Sequence, residues 1–324
     1  MHARPIPQAW LVGPLLGAVL CALPAHAAEP VIVGAVGSSS ANAWPVHIGL
    51  KKGFFAAEGL DVDFVYAQSN AAVIQQLTAG STHVATNAGL VDPIRAIDKG
   101  APIALVRIEI QAPPYALLAK PGIKSIAELK GKTIIVGGAK DITRIFVDRM
   151  LAPNGVKPGE FDYVFAGATN ARFSALQSGA VDAALLTAPF NFYAESAGFA
   201  NLGFAFDYVK DMPFAGMAMN RGWALANPKR AEKFVSVFVK SIAWFEDRRN
   251  RDEAVTIMVE ISKLKTADVE RAYDFLRDKH LFEPSGKVSR AKLATVVAAL
   301  RDLGDIGELP VDKLILPGIT QLVD

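Results

Sequence analysis

Short apolar runs alternate along the chain with longer segments in which apolar residues recur at helical spacing. A short apolar run bounded by Gly, Pro or polar residues indicates a buried strand, and the helical spacing indicates an amphipathic helix. The predicted strands are Val31–Val36, Asp61–Tyr66, His83–Thr86, Ile103–Ile108, Tyr115–Lys120, Thr133–Val136, Asp162–Phe165, Val181–Leu186, Leu202–Phe206 and Phe214–Asn220. Because helices separate most of these strands, the pattern predicts an α/β fold built on parallel sheets.

Two segments of the chain, Leu77–Pro93 and Leu176–Phe190, share one pattern. Each reads Leu-x-x-Gly-x-x-[His/Asp]-x-Ala, followed by a polar loop and a proline that is expected to open a helix. The glycine is expected to end a helix, since glycine adopts left-handed backbone conformations without a Cβ penalty. The repetition predicts equivalent parts of two lobes, whose loops Thr86–Ala88 and Thr187–Phe190 face a shared cleft.

Two proline-containing steps, Pro113-Pro114 and Met212-Pro213, interrupt the alternation, and we interpret them as crossovers between the lobes. The last third of the chain is helical by the same spacing criterion, and these helices are expected to pack on the first lobe. Two crossovers imply a hinge near Pro113 and Pro213. The predicted lobes are a discontinuous first lobe, residues 28–113 with 218–324, and an inserted second lobe, residues 114–217.

Residues 1–27 have the pattern of a secretory signal peptide. Arg4 precedes the apolar run Ala9–Leu23, and Ala25 and Ala27 form an Ala-x-Ala cleavage site,. Cys21 would suit a lipoprotein, but a large residue precedes it, so cleavage near Ala27 is expected. Since Cys21 is the single cysteine, the mature chain is expected to lack disulfides and thiolate ligands.

Composition narrows the class of protein further. The 324-residue chain is 20% charged with a formal net charge of +2. This balance, without a basic run, argues against a nucleic-acid partner. No apolar stretch after the signal peptide is long and uninterrupted enough to span a bilayer. We therefore expect an exported, periplasmic, soluble monomer whose partner is a small molecule.

In open parallel sheets, ligands bind beyond the carboxyl ends of the strands, where helix N-termini favour anions. The loops at these positions are rich in hydroxyl and amide side chains, which suit a small ligand held by hydrogen bonds. Lys140 or Arg144 would supply a cation for an acidic ligand if its side chain turned inward. The same hydroxyl and amide residues also fit a role as helix caps alone, and Asp141 is interpreted first as a cap. The predicted ligand-binding residues are Ser38, Ser39, Asn42, Trp44, Ser69, Asn70, Thr86, Asn87, Lys140, Asp141, Thr143, Arg144, Thr169, Asn170, Thr187, Phe190 and Phe214, with the aromatic members as apolar walls.

Catalytic and cofactor motifs were sought in the same way. The sequence contains no HExxH, no GxSxG and no metal-spaced cluster, and Gly137-Gly138 lacks the full nucleotide-binding patterns,. Three histidines remain after the signal peptide, His47, His83 and His280. His83 fits a structural role at the start of a strand, and His47 is interpreted first as a surface histidine. No cofactor, metal or catalytic residue is therefore expected. The alternative is an exported enzyme that uses His47 with a cleft carboxylate.

Several segments together resemble a known family. They are Lys52–Val62 (KGFFAAEGLDV), Lys99–Pro102 (KGAP), Glu128–Lys132 (ELKGK) and the two glycine motifs. They resemble the SsuA/THI5-like, NMT1-type periplasmic substrate-binding proteins of ABC importers, which serve sulfonates, taurine, nitrate and pyrimidine precursors of thiamine. The resemblance covers nearly all of the mature chain. It implies a two-lobed type II periplasmic binding fold that closes on its ligand and delivers it to an ABC permease in the inner membrane.

The chain departs from this family at two positions. Asp141 stands where members often carry a small hydroxyl residue, and a carboxylate there would repel a sulfonate unless Lys140 or Arg144 neutralised it. His83 replaces the Asp that is usual in the first-lobe motif. Pyrimidine-synthesising relatives use a cysteine cluster, which the mature chain lacks. The expected function is therefore capture of a sulfonate or carboxylate anion. The alternatives are a neutral aromatic or pyrimidine-type ligand, and a sensory module that presents its closed lobes to a receptor.

Overall fold

The computed structural model of the protein describes residues 29–37 and 40–324, together with His2. The rest of the predicted signal peptide and the predicted site residues Ser38 and Ser39 lie outside the described residues. Within the described ranges, no helix combines the length and the apolar character needed to cross a membrane.

Most strands of the structure belong to one of two five-stranded sheets. The strands are, in chain order, β1 (Val31–Val36), β2 (Val62–Ala67), β3 (Val84–Gly89), β4 (Ile103–Ile110), β5 (Tyr115–Ala119), β6 (Thr133–Val136), β7 (Asp162–Phe165), β8 (Ala183–Thr187), β9 (Ala200–Phe204), β10 (Ala215–Asn220), β11 (Val288–Ser289) and β12 (Leu322–Val323). The first sheet has the order β2-β1-β3-β10-β4 and the second has the order β7-β6-β8-β5-β9. The two short strands β11 and β12 pair with each other.

The two sheets have the same plan. In each, three neighbouring strands are parallel, and one antiparallel strand lies between the third of them and the edge strand. That antiparallel strand is β10 in the first sheet and β5 in the second, and each arrives directly from the other sheet along the chain. The two-lobed α/β fold with two crossovers that the sequence predicted is thereby confirmed.

Helices flank both sheets. They are α1 (Trp44–Lys51), α2 (Phe54–Ala57), α3 (Asn70–Thr78), α4 (Val91–Asp98), α5 (Ile142–Leu151), α6 (Thr169–Gln177), α7 (Phe190–Ser196), α8 (Ala205–Tyr208), α9 (Arg221–Ala226), α10 (Pro228–Glu246), α11 (Arg251–Ser262), α12 (Thr266–Asp278), α13 (Arg290–Asp302) and α14 (Val311–Leu314). Apolar residues at helical spacing on α10 are buried, as the sequence predicted. Asp141 caps α5, accepting a hydrogen bond from the Thr143 backbone N–H at 2.9 Å.

The C-terminal helices contact both lobes, which corrects the expectation that they pack on the first lobe alone. Helices α10 and α11 pack against α1, while α12 packs against α7 of the second lobe. The ring of Phe275 on α12 lies 5.4 Å from Phe192 and 5.1 Å from Phe204. The reason is that α12 buries Val269, Ala272 and Leu276 on one face and places Phe275 beside that face.

Four local predictions were wrong. The strand predicted at Leu202–Phe206 spans Ala200–Phe204 instead, and Ala205 begins α8. Strand β3 continues to Gly89, so Thr86–Ala88 lie inside a strand rather than in a loop, because β10 pairs with β3 up to Gly89. The Asp92-Pro93 pair predicts a helix cap at Asp92, but Asp92 lies in the first turn of α4, and Leu90 holds the capping position. Pro189 precedes α7 at the capping position and follows a cis peptide bond, whereas the sequence pattern placed it inside the helix.

Candidate functional site

A cavity lies between the two lobes, at the carboxyl ends of β1, β3 and β8. Its lining residues are Val36, Ser40, Asn42, Asn70, Asn87, Tyr115, Thr169, Arg172, Thr187 and Phe214. Both lobes contribute, since Val36 and Asn87 lie on strands of the first sheet and Tyr115 and Thr187 lie on strands of the second. The free space inside is about 30 Å³, which is room for about one water molecule. A larger ligand therefore needs the lobes to move apart before it can enter.

Hydrogen bonds join the lobes around this cavity. The Thr187 hydroxyl donates to the carboxamide oxygen of Asn42 at 3.2 Å. The Asn70 side-chain amide donates to the Asp141 carboxylate at 3.1 Å. The Ala41 backbone N–H donates to the Ala188 carbonyl at 2.9 Å. These bonds belong to a conformation in which the cleft is shut.

At the mouth of the cleft, the backbones of the two lobes approach closely at Gly167. A Cβ atom at this position would overlap the Gln68 carbonyl oxygen and would lie 3.0 Å from the Ser69 Cα. Gln68 follows β2 and Gly167 follows β7, so the loops after equivalent strands of the two lobes meet here. Only a residue without a side chain fits this contact.

The cavity contains one buried guanidinium among its lining residues, that of Arg172, which is 2% exposed. Its Nε donates to the Leu185 carbonyl at 2.8 Å, and its Nη1 donates to the carbonyls of Ala166 at 3.0 Å and Gly167 at 2.6 Å. None of the ion pairs in the described part of the chain involves Arg172. A buried charge is normally paired, so this side chain leaves a positive charge in the wall that an anion can balance.

Tyr115 lies beside Arg172. The guanidinium carbon is 5.8 Å from the Tyr115 ring centroid, and the ring also packs edge-on against Phe214 at 5.0 Å. Burial raises the pKa of the Tyr115 phenol well above its usual value, although the charge of Arg172 acts in the opposite direction. The phenol therefore keeps its proton and can donate a hydrogen bond into the cavity.

Beneath the cavity lies a buried carboxylate, that of Glu109. It accepts hydrogen bonds from the Thr86 hydroxyl at 2.6 Å and from the Asn87 backbone N–H at 2.5 Å. Burial raises the pKa of Glu109 to about 7, while these hydrogen bonds and the charge of Arg107 hold it lower than burial alone would. Arg107 is itself buried, which lowers its pKa, and its ion pair is with Glu283 at 3.5 Å.

A second carboxyl with a perturbed pKa, Asp92, lies at the seam between the lobes. Burial, together with the charge of Asp141 on the second lobe, raises the pKa of Asp92 to about 7, although the charge of Arg95 opposes both effects. The guanidinium of Arg95 lies 3.7 Å from the Asp92 carboxylate and also bonds the Lys140 carbonyl across the seam. Closure of the cleft thus brings two carboxyl groups from different lobes towards each other.

The predicted site residues that the structure describes fall into three groups. Those that line the cavity are Asn42, Asn70, Asn87, Thr169, Thr187 and Phe214. Of the rest, Thr86 bonds Glu109, Ser69 caps α3, and Asp141 caps α5 while bonding Asn70. The Thr143 hydroxyl accepts from the Gly137 N–H at 2.8 Å and donates to Asp141 at 2.5 Å. These polar residues shape the lobes' facing loops without lining the cavity.

The remaining predicted residues lie away from the cavity. Trp44 is buried against Phe245 and Phe190 packs on Phe173, with ring centroids 6.1 Å and 5.9 Å apart. Asn170 is exposed. Lys140 is 77% exposed and pairs with Asp305 at 3.4 Å, and Arg144 pairs with Asp148 at 3.7 Å. Neither cation that the sequence suggested reaches the cavity.

Sequence reasoning missed four lining residues, namely Val36, Ser40, Tyr115 and Arg172. Arg172 lies in the first turn of α6, two residues after Asn170, which was among the predicted ligand-binding residues. An arginine there, among small and apolar neighbours, was the available signal. Tyr115 is the first residue of the crossover strand β5, and this position between the lobes was the available signal for Tyr115.

The histidines lie outside the set of lining residues. The ring of His47 is 6.0 Å from Phe64, and His83 stacks on Trp223 at 5.0 Å. His83 Nδ1 accepts the Ile32 backbone N–H at 3.1 Å, and burial, followed by the charge of Arg230, lowers its pKa. Throughout the described ranges, no group of three or more His, Cys, Asp or Glu side chains is placed to hold a metal ion. The cavity therefore offers hydrogen bonds, one cation and aromatic walls.

Comparison with known sequences identifies a family. A family model described as NMT1/THI5 like matches residues 40–248, which is more than half of the chain. A search of curated proteins finds no match.

Solved structures resemble the whole two-lobed fold. One is a protein from Bordetella bronchiseptica RB50, with 22% identity over 92% of this chain and 95% of that one and a TM-score of 0.74. Another is the alkanesulfonate-binding protein SsuA from Xanthomonas axonopodis pv. citri bound to MOPS, with 17% identity over 91% and 100% and a TM-score of 0.73. A third is the periplasmic aliphatic sulphonate binding protein SsuA from Escherichia coli, with 18% identity over 91% and 94% and a TM-score of 0.70. At these identities the likeness establishes a shared fold.

Proposed function

Because the chain belongs to the NMT1/THI5-like family, we propose that it is an exported solute-binding protein that captures a small organic anion, a sulfonate or a carboxylate, between its lobes. The proposal of an anionic ligand depends on one observation. The guanidinium of Arg172 is buried at the cavity and has no carboxylate partner among the described residues. Guanidinium binds sulfonate or carboxylate oxygens through charge-assisted hydrogen bonds. The Tyr115 phenol supplies a further donor beside it.

Binding would proceed by hinge closure. The first lobe contributes Asn42 and Asn87 to the cavity, and the second contributes Thr169, Arg172 and Thr187. A ligand that contacts both sets stabilises the shut conformation over the open one. Because the cavity has so little free space in this conformation, the ligand would enter a more open form, and the lobes would close around it to a wider separation than they have here. The closed complex would then deliver its ligand to an ABC permease in the inner membrane.

The proposed hinge and lobes keep the division predicted from the sequence, except that the boundary predicted between residues 217 and 218 is moved to before Ala215. The segments near Pro113 and Pro213 connect β4 to β5 and α8 to β10. The proposed first lobe is residues 28–113 with the C-terminal part of the chain, and the second is the inserted part beginning at residue 114. Since β10 begins at Ala215 within the first sheet, we place the second crossover before Ala215. Residues 1–27 are proposed to be removed on export.

The similar structures support an anionic ligand. Two of them are named as sulfonate-binding proteins, and one holds MOPS, itself a sulfonate. A neutral aromatic ligand is the second candidate, because Tyr115 and Phe214 present rings to the cavity. A hydrolytic enzyme that uses His47 gains no support, since His47 is not among the lining residues.

A ligand panel tests this proposal. Thermal shift and calorimetry would be run on the mature chain with ethanesulfonate, MOPS, acetate, benzoate and neutral uracil. We expect at least one anion to stabilise the protein and uracil to have no effect. Binding of uracil alone would contradict the anion proposal, and turnover of a panel member would favour an enzyme.

The role of Arg172 is tested with a matched pair of variants. Arg172→Met removes the buried cation and is expected to weaken anion binding by about tenfold or more. Lys140→Met removes the same charge from a side chain that is 77% exposed, and is expected to change affinity by less than about twofold. Because Arg172 also bonds three carbonyls, Arg172→Lys serves as a second variant that keeps the charge. Equal effects of Arg172→Met and Lys140→Met would contradict a direct contact.

A further inference from the structure

Strand β3 carries a bulge at the point where it meets the cavity. Its neighbour β10 pairs Gly216 with Ala88 and Ala218 with Ala85. Two residues of β3, Thr86 and Asn87, therefore lie opposite the one residue between those pairs. Asn87 has a φ of 53°, a left-handed conformation that asparagine adopts more readily than most residues. Bulges of this kind redirect side chains at functional sites.

The bulge takes the Asn87 backbone N–H out of the ladder between β3 and β10. A buried N–H needs an acceptor, and the Glu109 carboxylate provides it at 2.5 Å. The other carboxylate oxygen of Glu109 accepts the Thr86 hydroxyl at 2.6 Å. One fully buried side chain thus binds both residues of the bulge.

Glu109 is itself at an irregular position of β4. The neighbouring residues Ile108 and Ile110 pair with Gly216 and Ala215, which are adjacent on β10. Glu109 is therefore the extra residue on β4, and its side chain reaches the bulge on β3. The two irregularities flank β10 and are joined by the carboxylate.

The Asn87 side chain lies at the cavity. It is among the lining residues, it is 6% exposed, and its side-chain oxygen has no hydrogen-bond partner among the described residues. This oxygen can accept from a ligand group that carries a hydrogen, and the NH2 of the same carboxamide can donate to a sulfonate or carboxylate oxygen. The Asn87 carboxamide is therefore placed to bond a ligand in the cavity. Its direction is set by the backbone conformation that Glu109 stabilises.

We propose that Glu109 is a positioning residue for ligand binding, holding Asn87 in its left-handed conformation so that the carboxamide faces the cavity. Glu109 does not touch the ligand and acts through Asn87. This inference rests on the proposed function, because it assumes that the cavity between the lobes is the ligand site.

A control variant separates positioning of Asn87 by Glu109 from a general disturbance of the buried charges. Arg107 neighbours Glu109 on β4, but its guanidinium donates to the Glu283 carbonyl at 2.6 Å and pairs with the Glu283 carboxylate at 3.5 Å. Glu283→Gln therefore weakens the partner of Arg107 without touching Asn87. It is the control for disturbing the buried charges below the cavity.

The first measurement needs no ligand. In the ¹⁵N-labelled chain, hydrogen exchange of the Asn87 amide would be compared in wild type, Glu109→Met, Glu109→Gln and Glu283→Gln. Glu109→Met lacks an acceptor and is expected to speed exchange by about tenfold or more. Glu109→Gln keeps one acceptor oxygen and is expected to retain most of the protection, as is Glu283→Gln. Unchanged exchange in a folded Glu109→Met protein would overturn the proposal. Should that variant not fold, Glu109→Asp, whose carboxylate is one methylene shorter, replaces it with the same expectation.

The second measurement is a double-mutant cycle on affinity for ethanesulfonate, MOPS and benzoate. Glu109→Met is expected to weaken binding by about fivefold or more in the wild-type background. In an Asn87→Gly background the same substitution is expected to change affinity by less than about twofold, because the side chain it positions is gone. Equal losses in both backgrounds would overturn the proposal. If the wild type binds none of these anions, the proposed function fails, and the exchange of the Asn87 amide alone decides whether Glu109 holds this residue.

Discussion

The Thr187 hydroxyl donates a buried hydrogen bond to the Asn42 carboxamide across the cleft, at 3.2 Å. Thr187 ends β8 of the second sheet, and Asn42 lies in the turn after β1 of the first. The two residues are 145 positions apart in the chain. Because they belong to different lobes, this bond exists only while the cleft is shut. It links the conformational equilibrium to two residues that also line the ligand cavity.

Thr187→Val is expected to favour the open conformation. The substitution keeps the shape of the side chain and removes a hydroxyl that lies 3.2 Å from both the Asn42 carboxamide oxygen and the Pro114 carbonyl oxygen. Both buried oxygens lose this donor, at a cost of about 1 kcal/mol. Ligand affinity should fall about fivefold, measured by calorimetry with the anion that stabilises the wild type. Thr82→Val is the control, since Thr82 is also buried and its hydroxyl has no partner among the described residues. Equal affinities of Thr187→Val and the wild type would show that the bond does not contribute to closure.

Gly167→Ala is expected to hold the lobes apart. In the shut conformation the new Cβ would overlap the Gln68 carbonyl, and moving the two loops apart would relieve this overlap. Overpacking of this kind costs about 1–3 kcal/mol, so affinity should fall roughly tenfold with little change in the stability of the unliganded chain. Small-angle scattering should show a larger radius of gyration. Gly122→Ala is the matched control, because a Cβ there meets nothing within 4 Å, and an equal loss of affinity in both variants would refute the closure contact.

The sequence predicted the layout of the fold because each signal is local. An apolar run such as Thr133–Val136 indicates a strand regardless of its partner, and Asp141 indicates a helix cap from its own position. Strand pairing is not local. Residues Thr86–Ala88 look like a loop in the sequence, and they lie in a strand because β10, more than a hundred residues later, pairs with Ala85 before them and with Ala88 and Gly89.

The candidate site was predicted less completely for the same reason. Small polar residues at strand ends, such as Asn42 and Thr187, follow from the rule that ligands bind there. The cation did not follow, because Lys140 and Arg172 both lie at the start of a helix and only the packing of the lobes shows which one is buried. Glu109 was hidden as well, since its contact with Asn87 depends on two bulges in different strands.

Phe275→Ala is expected to weaken the attachment of the C-terminal helices to the second lobe. The Phe275 ring packs on Phe192 at 5.4 Å and on Phe204 at 5.1 Å. Removing a half-buried aromatic side chain from such a cluster should cost about 2 kcal/mol in the free energy of unfolding, measured by urea titration. Leu225→Ala, at a side chain 64% exposed, should change stability by less than about 0.5 kcal/mol. A loss for Phe275→Ala no larger than for this control would mean that the aromatic contact contributes little.

Asp92→Asn is expected to reduce the pH dependence of stability. Burial, with the charge of Asp141, raises the pKa of Asp92 in the folded protein to about 7, whereas an aspartate in the unfolded chain ionises near pH 4. The folded state therefore binds the proton more tightly, so the contribution of Asp92 to stability is full below about pH 4 and is lost as the pH rises through about 7. Between pH 5.5 and pH 8 this loss amounts to about 1–2 kcal/mol. Asn has no proton to lose, so Asp92→Asn should abolish this loss.

The free energies of unfolding of wild type and variant would be compared at both pH values, with Asp98→Asn controlling for one negative charge removed from α4. If Asp92→Asn changes stability by the same amount at pH 5.5 and pH 8, then Asp92 does not titrate in this range, and closure of the lobes does not raise its pKa.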